Sequence, residues 1–265
     1  MNLPLRLMTS TMLTGTLLMF GCAAPEDGAG EHVSVADALA SVNGLASING
    51  LSSTNGLSST NGLSSTNGLS STNGLSSTNG LSSTNGLMTT ADGRTTVAYL
   101  VRCALPLGHS ITKKDQNGAS YTFAGQLGFA PEWETAACQQ TCQRYVSACM
   151  MAHINTAGVH IPLWLDAAQT NVGWGRDPQF PHQEGSFFGN IFISPPQAYY
   201  CNGKDFAVNV VPGRLGASQP GAPYVNAFSG TGYCADHCTA ADIPHAGDGY
   251  KACAGNNNVV TVWRQ

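Results

Sequence analysis

Eight consecutive hexapeptides between residues 39 and 86 most restrict how this chain can fold. The first two read Leu-Ala-Ser-Val-Asn-Gly and Leu-Ala-Ser-Ile-Asn-Gly, and six identical Leu-Ser-Ser-Thr-Asn-Gly units follow from residue 51. One leucine in six residues offers too little apolar surface to offset about 1–2 kcal/mol of backbone entropy per residue. We therefore expect the hydrophobic core to come from the part of the chain after the repeat.

Three interpretations of the repeat are open. Residues 23–93 form a flexible tether of low complexity, in which identical units set the length. Alternatively, the units form a parallel β-helix, although eight of them make fewer than three triangular coils. Asn-Gly is also a type I′ turn signal, which favours a small meander. The 18 Ser and Thr residues of the identical units are in addition candidate sites of O-glycosylation.

Residues 1–22 have the organisation of an export signal peptide. Arg6 is the first charge, and the 14 residues Leu7–Phe20 carry none, which is too short a segment to span a bilayer. The run Leu17-Leu18-Met19-Phe20-Gly21-Cys22 resembles the lipobox of bacterial lipoproteins. This resemblance implies that Cys22 is lipidated and anchors the chain to a membrane, with Ala23 in the next position implying the outer membrane or cell surface. Cleavage without lipidation, giving a soluble secreted protein, is the alternative.

The cysteine count supports this interpretation. Nine cysteines leave an even number once Cys22 is assigned to the lipid, and disulfides persist in exported proteins. The eight cysteines predicted to form four disulfides, in pairs that the sequence does not assign, are Cys103, Cys138, Cys142, Cys149, Cys201, Cys234, Cys238 and Cys253. They are too sparse for a pure disulfide scaffold, which has above about 8–10% cysteine, so we expect the bridges to reinforce a hydrophobic core.

Residues 94–265 are predicted to form one disulfide-linked domain, the head, of β-rich α+β class with short strands packed on one main helix. The helix is expected over Pro131–Asn155, because Pro131 suits a first turn and three cysteines fall on one face. Cysteines four apart in one straight helix are poorly placed to bond each other, so Cys138 and Cys142 are expected to bond other segments. His153, near the helix end, is interpreted as gaining from the helix dipole and needing no ligand.

Strands are predicted where β-branched and aromatic residues lie between Gly, Pro and Asn clusters. The predicted strands are Thr95–Val101, Ser120–Ala124, Val159–Leu165, Phe187–Ile193, Phe206–Val211 and Val259–Trp263. Pro162 lacks a backbone donor, so the strand that contains it is expected at a sheet edge.

Charge and motifs exclude several classes of function. The net charge is −4 and only 11 Lys and Arg residues occur, which argues against a nucleic-acid partner. The chain has no His-Glu-x-x-His, no Gly-x-Ser-x-Gly and no P-loop sequence. We therefore predict no cofactor and no metal, and the sequence leans away from an enzyme.

Rings and carboxylates concentrate between residues 164 and 205, a combination that suits sugar binding. The candidate ligand-binding rings are Trp164, Trp174, Tyr199 and Tyr200. If the protein is a glycoside hydrolase, Glu184 is the candidate acid, paired with Asp166 or Asp205. The simpler interpretation of this stretch places Phe187, Phe188 and Phe192 in the core.

Two segments after the repeat carry a second resemblance. Glu184-Gly-Ser-Phe-Phe-Gly-Asn190 and Val259-Val-Thr-Val-Trp-Arg264, with the cysteine-rich helix, resemble exported cysteine-rich proteins of myxobacteria. This resemblance covers most of residues 95–264 and implies export, but no particular activity. The expected function is that of a cell-envelope lipoprotein whose non-catalytic head binds glycan or an envelope partner. The alternatives are a polysaccharide hydrolase and a structural protein that assembles through its repeats.

Overall fold

The computed structural model describes residues 40–43, 45–46, 87–155, 161–175, 177–193, 195–208, 214, 229–241 and 249–265. All of them belong to one compact unit, Val33–Gln265. Within these ranges, no helix combines the length and the apolar character needed to cross a membrane. The predicted export signal, Cys22 and the six identical repeat units lie outside the described residues.

A six-stranded sheet in the order β1-β6-β12-β7-β8-β9 organises the head. Its strands are β1 (Ala40–Asn43), β6 (Ile161–Ala167), β7 (His182–Asn190), β8 (Gln197–Asn202), β9 (Ser229–Tyr233) and β12 (Val260–Arg264). All neighbours pair antiparallel except β8 and β9, which are parallel. The C-terminal strand β12 lies between β6 and β7 and is buried at every position, as expected of a strand with both faces covered.

Three two-stranded sheets surround the large one. They pair β2 (Leu45–Ala46) with β5 (Ile154–Asn155), β3 (Ser110–Lys114) with β4 (Ser120–Ala124), and β10 (Cys238–Ala240) with β11 (Tyr250–Cys253). The helices are α1 (Ala91–Ala104), α2 (Gln140–Ala152) and the single turn α3 (Cys234–His237), with 3-10 turns at Leu87–Thr89 and Pro131–Glu134. The described residues are thus rich in strands with a few helices, in agreement with the predicted class.

Helix α1 shows that the strand predicted at Thr95–Val101 is wrong. Its start is fixed by Thr90, whose side-chain oxygen accepts a hydrogen bond from the backbone N–H of Gly93 at 3.0 Å. Val97, Leu100 and Val101 are all fully buried, and their spacing of three and four residues places them on one helical face. Tertiary burial of this face overrides the β propensity of the threonines and valines.

The predicted helix over Pro131–Asn155 is two elements rather than one. A 3-10 turn occupies Pro131–Glu134, and α2 begins only at Gln140. Cys138 therefore lies before the helix, where the backbone can turn its side chain onto Cys142, and these two cysteines form a disulfide. The expectation that both would bond other segments assumed one straight helix and is wrong.

The eight cysteines after residue 100 form four disulfides, which confirms their predicted oxidation state. The pairs are Cys103–Cys149, Cys138–Cys142, Cys201–Cys234 and Cys238–Cys253. The first joins α1 to α2, the third joins β8 to α3, and the fourth joins β10 to β11. Each bridge adds typically about 2–4 kcal/mol of stability, mainly through the unfolded chain.

The two faces of the large sheet carry separate cores. Val260 and Val262 pack with α1 and α2 in the larger cluster, whereas Trp263 belongs to a small cluster with Trp164 and Phe180. Because side chains alternate along a strand, Trp263 faces away from the helices. A second small cluster contains Phe188, Val259 and three of the cysteines. These two small clusters mark the face that the helices do not cover.

The remaining predicted strands are partly confirmed. Ser120–Ala124 is β4, and Val259–Trp263 differs from β12 by one residue at each end. The strand predicted at Phe206–Val211 is wrong over 206–208, which form turns, and its residues 209–211 lie outside the described residues. The strand in this part of the chain is β8, which the sequence analysis missed. Pro162 lies in β6, which pairs with β12 on one side and with β1 on the other, so the strand is not at the edge of the sheet.

Strained backbone at Ala254 gives a stability prediction. Ala254 and Gly255 have φ of 45° and 79°, and they form the centre of a tight turn closed by Cys253 and Asn256. We expect Ala254→Gly to raise the free energy of unfolding by about 0.5–1 kcal/mol, since alanine is strained in the left-handed region. Gly255→Ala, with open space around its added Cβ, is the matched control and should lower it. Urea unfolding that shows no gain for Ala254→Gly would contradict the prediction.

Candidate functional site

Glu184 is a fully buried carboxylate at an irregular point of the central sheet. Gln183 lies opposite Trp263 and Gly185 opposite Val262, so Glu184 is the extra residue of a β-bulge in β7. Its carboxylate accepts two hydrogen bonds from Arg214, from Nε to Oε1 at 3.1 Å and from Nη2 to Oε2. Neither side chain of this ion pair is exposed to solvent.

A second guanidinium completes the ion-pair network. The Nε of Arg264 lies 3.4 Å from Oε1 of Glu184. The other donors of the two arginines are directed at backbone carbonyls rather than at open space. Arg214 donates to the carbonyl oxygens of Ala152 and Ile154 at 2.7 and 2.5 Å. Burial lowers the pKa of Arg264, and the charge of Glu184 opposes that effect.

The carbonyl oxygens that accept from Arg264 belong to the turn after β8. Its Nη2 donates to Asp205, Phe206 and Val208 at 3.1, 3.3 and 2.8 Å. The network of Glu184, Arg214 and Arg264 thus joins β7, the end of α2, this turn and the C-terminal strand. The Glu184 side chain is fully buried, and its carboxylate is bound by the two guanidiniums.

Asp166 lies on the opposite face of the sheet from this network. It is fully buried, and its carboxylate accepts hydrogen bonds from the indole N–H groups of Trp164 at 3.0 Å and Trp263 at 2.8 Å. Phe180 packs on Trp164 with ring centroids 6.0 Å apart. Two indole donors stabilise the charge that burial would otherwise disfavour.

Asp205 has a third, separate role. Its carboxylate accepts a hydrogen bond from the backbone N–H of Gln183 at 3.0 Å, which fixes the turn after β8 against β7. Glu184 reaches the helix end through Arg214, whereas Asp166 is enclosed by indoles on the other face. A glycoside hydrolase needs two carboxylates flanking one bond, and Glu184 and Asp166 do not converge in this way. Glu184 is moreover fully buried and bound by two guanidiniums, which favour its charged form, so the geometry lends no support to it as an acid with either Asp166 or Asp205 as its partner.

The four candidate ligand-binding rings are dispersed. Trp164 is only 5% exposed, and Trp174 is partly exposed in the turn after β6. Tyr199 stacks on Phe188 at 5.7 Å, and Tyr200 lies against Phe187 at 6.5 Å.

Phe187 and Phe188 are both fully buried, which confirms the simpler interpretation for these two residues, whereas Phe192 is partly buried and packs against the larger core cluster. Phe187 belongs to the helical core and Phe188 to the opposite cluster, so Tyr199 and Tyr200 lie on opposite faces of β8. The four candidate rings therefore form no shared platform.

Among the described residues, the most exposed aromatic side chain is one that the sequence analysis missed. Tyr233 is 51% exposed at the end of β9, and Phe206 contacts it edge-to-face with centroids 5.5 Å apart. The strand Ser229–Tyr233 is exposed at four of its five positions and is the last strand of the sheet among the described residues. The signal in the sequence was Ser-Gly-Thr-Gly-Tyr, an edge-like pattern that the proximity of Cys234 obscured.

His153 is neutral rather than a charged partner of the helix dipole. Complete burial lowers its pKa to about 3, and the nearby charges of Arg102 and Arg214 act in the same direction. Its Nδ1 lies 2.8 Å from the carbonyl oxygen of Cys149 and beside the Cys103–Cys149 disulfide, at 3.8 and 3.7 Å from the two sulfurs. The disulfide consumes the thiolates that a metal would need at this cluster.

Comparison with known proteins does not assign this arrangement to a family. No protein-family model, no curated protein and no solved structure matches the chain.

Breaking the buried network should destabilise the fold. We expect Glu184→Gln to lower the free energy of unfolding by about 3–5 kcal/mol, because it leaves two buried guanidiniums without their counter-charge. The matched control is Glu134→Gln, which removes a partly exposed ion pair with His109 at 2.8 Å and should cost at most about 1 kcal/mol. If chemical unfolding shows the same loss of unfolding free energy for both variants, the network does not stabilise the sheet.

His153 predicts a specific dependence of stability on pH. Between pH 6.5 and about pH 3 the imidazole of His153 is protonated in the unfolded chain but neutral in the folded protein. The free energy of unfolding therefore falls as the pH is lowered through this window. The slope contributed by this group is up to about 1.4 kcal/mol per pH unit. His153→Gln should reduce the slope, and His237→Gln, at an exposed position, should not. Identical slopes for His153→Gln and the unmodified protein would refute the assignment.

Proposed function

We propose that this chain is an exported, lipid-anchored envelope protein whose disulfide-linked head binds a glycan without catalysing a reaction on it. The observation that carries the proposal is the contrast between the two kinds of candidate group. The carboxylates of Glu184, Asp166 and Asp205 all accept hydrogen bonds from groups within the protein. The ring pair of Tyr233 and Phe206, in contrast, is exposed to solvent. Four disulfides are typical of a domain that works outside the reducing cytoplasm.

The ring pair of Tyr233 and Phe206 offers the chemistry that a sugar requires. An aromatic face packs against the C–H groups of a pyranose, and a phenol hydroxyl supplies a directional hydrogen bond. The edge strand β9 adds backbone N–H and C=O groups that can meet sugar hydroxyls. Gly230 and Gly232 leave this strand with little side-chain bulk beside Tyr233.

Binding to insoluble polysaccharides and cell-wall preparations tests the proposal with the full, oxidised chain. Tyr233→Ala should weaken binding about tenfold, in line with about 1.4 kcal/mol for a lost stacking contact. The matched control is Leu107→Ala, because Leu107 is 46% exposed but lies in a different segment, after α1. Equal loss for both variants, or no binding to any glycan, would contradict the proposal.

Released sugar measured in the same tubes tests the alternative. Release that survives Glu184→Gln would show an enzyme with a different acid. Because this variant is also expected to be less stable, release abolished by it would restore Glu184 as the candidate only if circular dichroism shows the variant still folded under the assay conditions. Binding without release supports the proposed non-catalytic head.

A further inference from the structure

Two of the four disulfides touch each other on the sheet face that lies away from α1 and α2. Cys201–Cys234 joins β8 to α3, and Cys238–Cys253 joins β10 to β11. The Sγ atoms of Cys201 and Cys238 are 3.5 Å apart, which is van der Waals contact. The Sγ atoms of Cys201, Cys234 and Cys238 all lie within 4.8 Å of one another. One sulfur of the second disulfide is therefore directly beside the bond of the first.

The four cysteines of these two disulfides differ in solvent exposure. Cys201 and Cys234 are fully buried and Cys253 is 1% exposed, whereas Cys238 is partly exposed. Thiol–disulfide exchange begins with a thiolate attacking an accessible sulfur. An external thiol therefore reaches Cys238 before the other three.

We propose that Cys238 is an exchange site for external thiols and that its sulfur, once released, transfers to Cys201. A first external thiolate attacks Sγ of Cys238, forming a mixed disulfide, and Cys253 leaves as a thiolate. A second external thiolate attacks the external sulfur of this mixed disulfide, forming the external disulfide and freeing the Cys238 thiolate. The Cys238 thiolate then attacks Sγ of Cys201, the Cys201–Cys238 bond forms, and Cys234 leaves. Two external thiols are oxidised, and the protein gains thiols at Cys234 and Cys253.

The arrangement of α3 makes the last transfer local. Cys234 and Cys238 are four residues apart, one helical turn, so both can approach Cys201 from the same side. In the oxidised protein the three sulfurs are not in line, because Cys238 lies within 4.8 Å of Cys234. Attack in line with the breaking bond needs rotation of the Cys238 side chain. Loss of the bond to Cys253 permits that rotation.

The product of this exchange has a different disulfide pairing. The bridge from β8 moves from the first residue of α3 to the residue that follows its last one, and β10 is no longer bonded to β11. The new thiol of Cys234 directly follows the exposed Tyr233. External thiols would thereby alter the segment next to the ring pair, whether or not that pair binds a glycan.

Differential labelling of the full oxidised chain tests the transfer. The protein is treated with reduced glutathione under folding conditions and quenched with acid. Free thiols then receive one alkylating tag, and the remaining cysteines receive a second tag after full reduction. Peptide mass spectrometry should find the first tag on Cys234 and Cys253 in equal amounts.

Three other outcomes would overturn the proposal. The first tag on Cys238 and Cys253 would show local reduction without transfer. Tagging of the fully buried Cys103 and Cys149 at the same rate would show global unfolding instead. No tagging before unfolding would show that Cys238 is not attacked.

Cys253→Ser gives a second test that needs no reductant, because it leaves Cys238 without its partner from the start. We expect a mixture of Cys201–Cys234 and Cys201–Cys238 bonds, which equilibrates faster as the pH rises and Cys238 becomes thiolate. A single Cys201–Cys234 species at every pH would overturn the transfer. Cys142→Ser is the matched control, because it frees Cys138 and keeps both disulfides of the cluster intact.

Discussion

The buried ion-pair network around Glu184 sets the arrangement of the elements that surround it. One carboxylate meets two guanidiniums, and the excess donors of the arginines end on carbonyl groups at Ala152, Ile154 and the turn after β8. A buried pair of this kind adds little net stability over an apolar substitute, but leaving any member alone is costly. Its effect is therefore on specificity, since a placement of Arg214 or β12 that separates these groups leaves a buried charge without its partner. The β-bulge in β7 positions the Glu184 carboxylate within reach of both arginines.

The two faces of the large sheet achieve stability by different means. On one face α1 and α2 supply a continuous apolar core, tied together by Cys103–Cys149. On the other face the clusters are small, and no helix of comparable length covers them among the described residues. On that face, stability comes less from buried apolar area than from two other sources. These are the hydrogen bonds from two indoles to Asp166 and the adjoining disulfides. Disulfides suit this position, because they act through the unfolded chain and need no large core.

Local signals predicted those parts of the fold in which one interaction dominates. Ser120–Ala124 and β12 were found from alternation and β-branched residues, and the even number of cysteines predicted complete pairing. Helix α1 was missed because burial of one helical face outweighs the β propensity of its residues.

The role of Glu184 depended on a contact that sequence reasoning could not supply. Its partner Arg214 is 30 residues away, in a region without a recognisable motif. Carboxylates near aromatic residues look alike in a sequence whether they face a substrate or a guanidinium. Only the long-range pairing decides between these two roles.

The first two repeat units each contribute a strand to the head. The first unit supplies β1, which adds to β6 over Ala40–Asn43, and the second supplies β2, which pairs with β5 at the end of α2. These two units carry Val or Ile where the identical six carry Thr.

Among the described residues, the head includes 40–43 and 45–46 together with the chain from Leu87 onward. Leu87 and Met88, inside the range predicted as tether, are buried in its core. A fragment that begins at residue 94 would lose β1, β2, the 3-10 turn and the start of α1. It would also expose β6 as an unpaired edge, where Pro162 alone limits the addition of foreign strands. Glycan binding and disulfide exchange measured on such a fragment would therefore not represent the complete head.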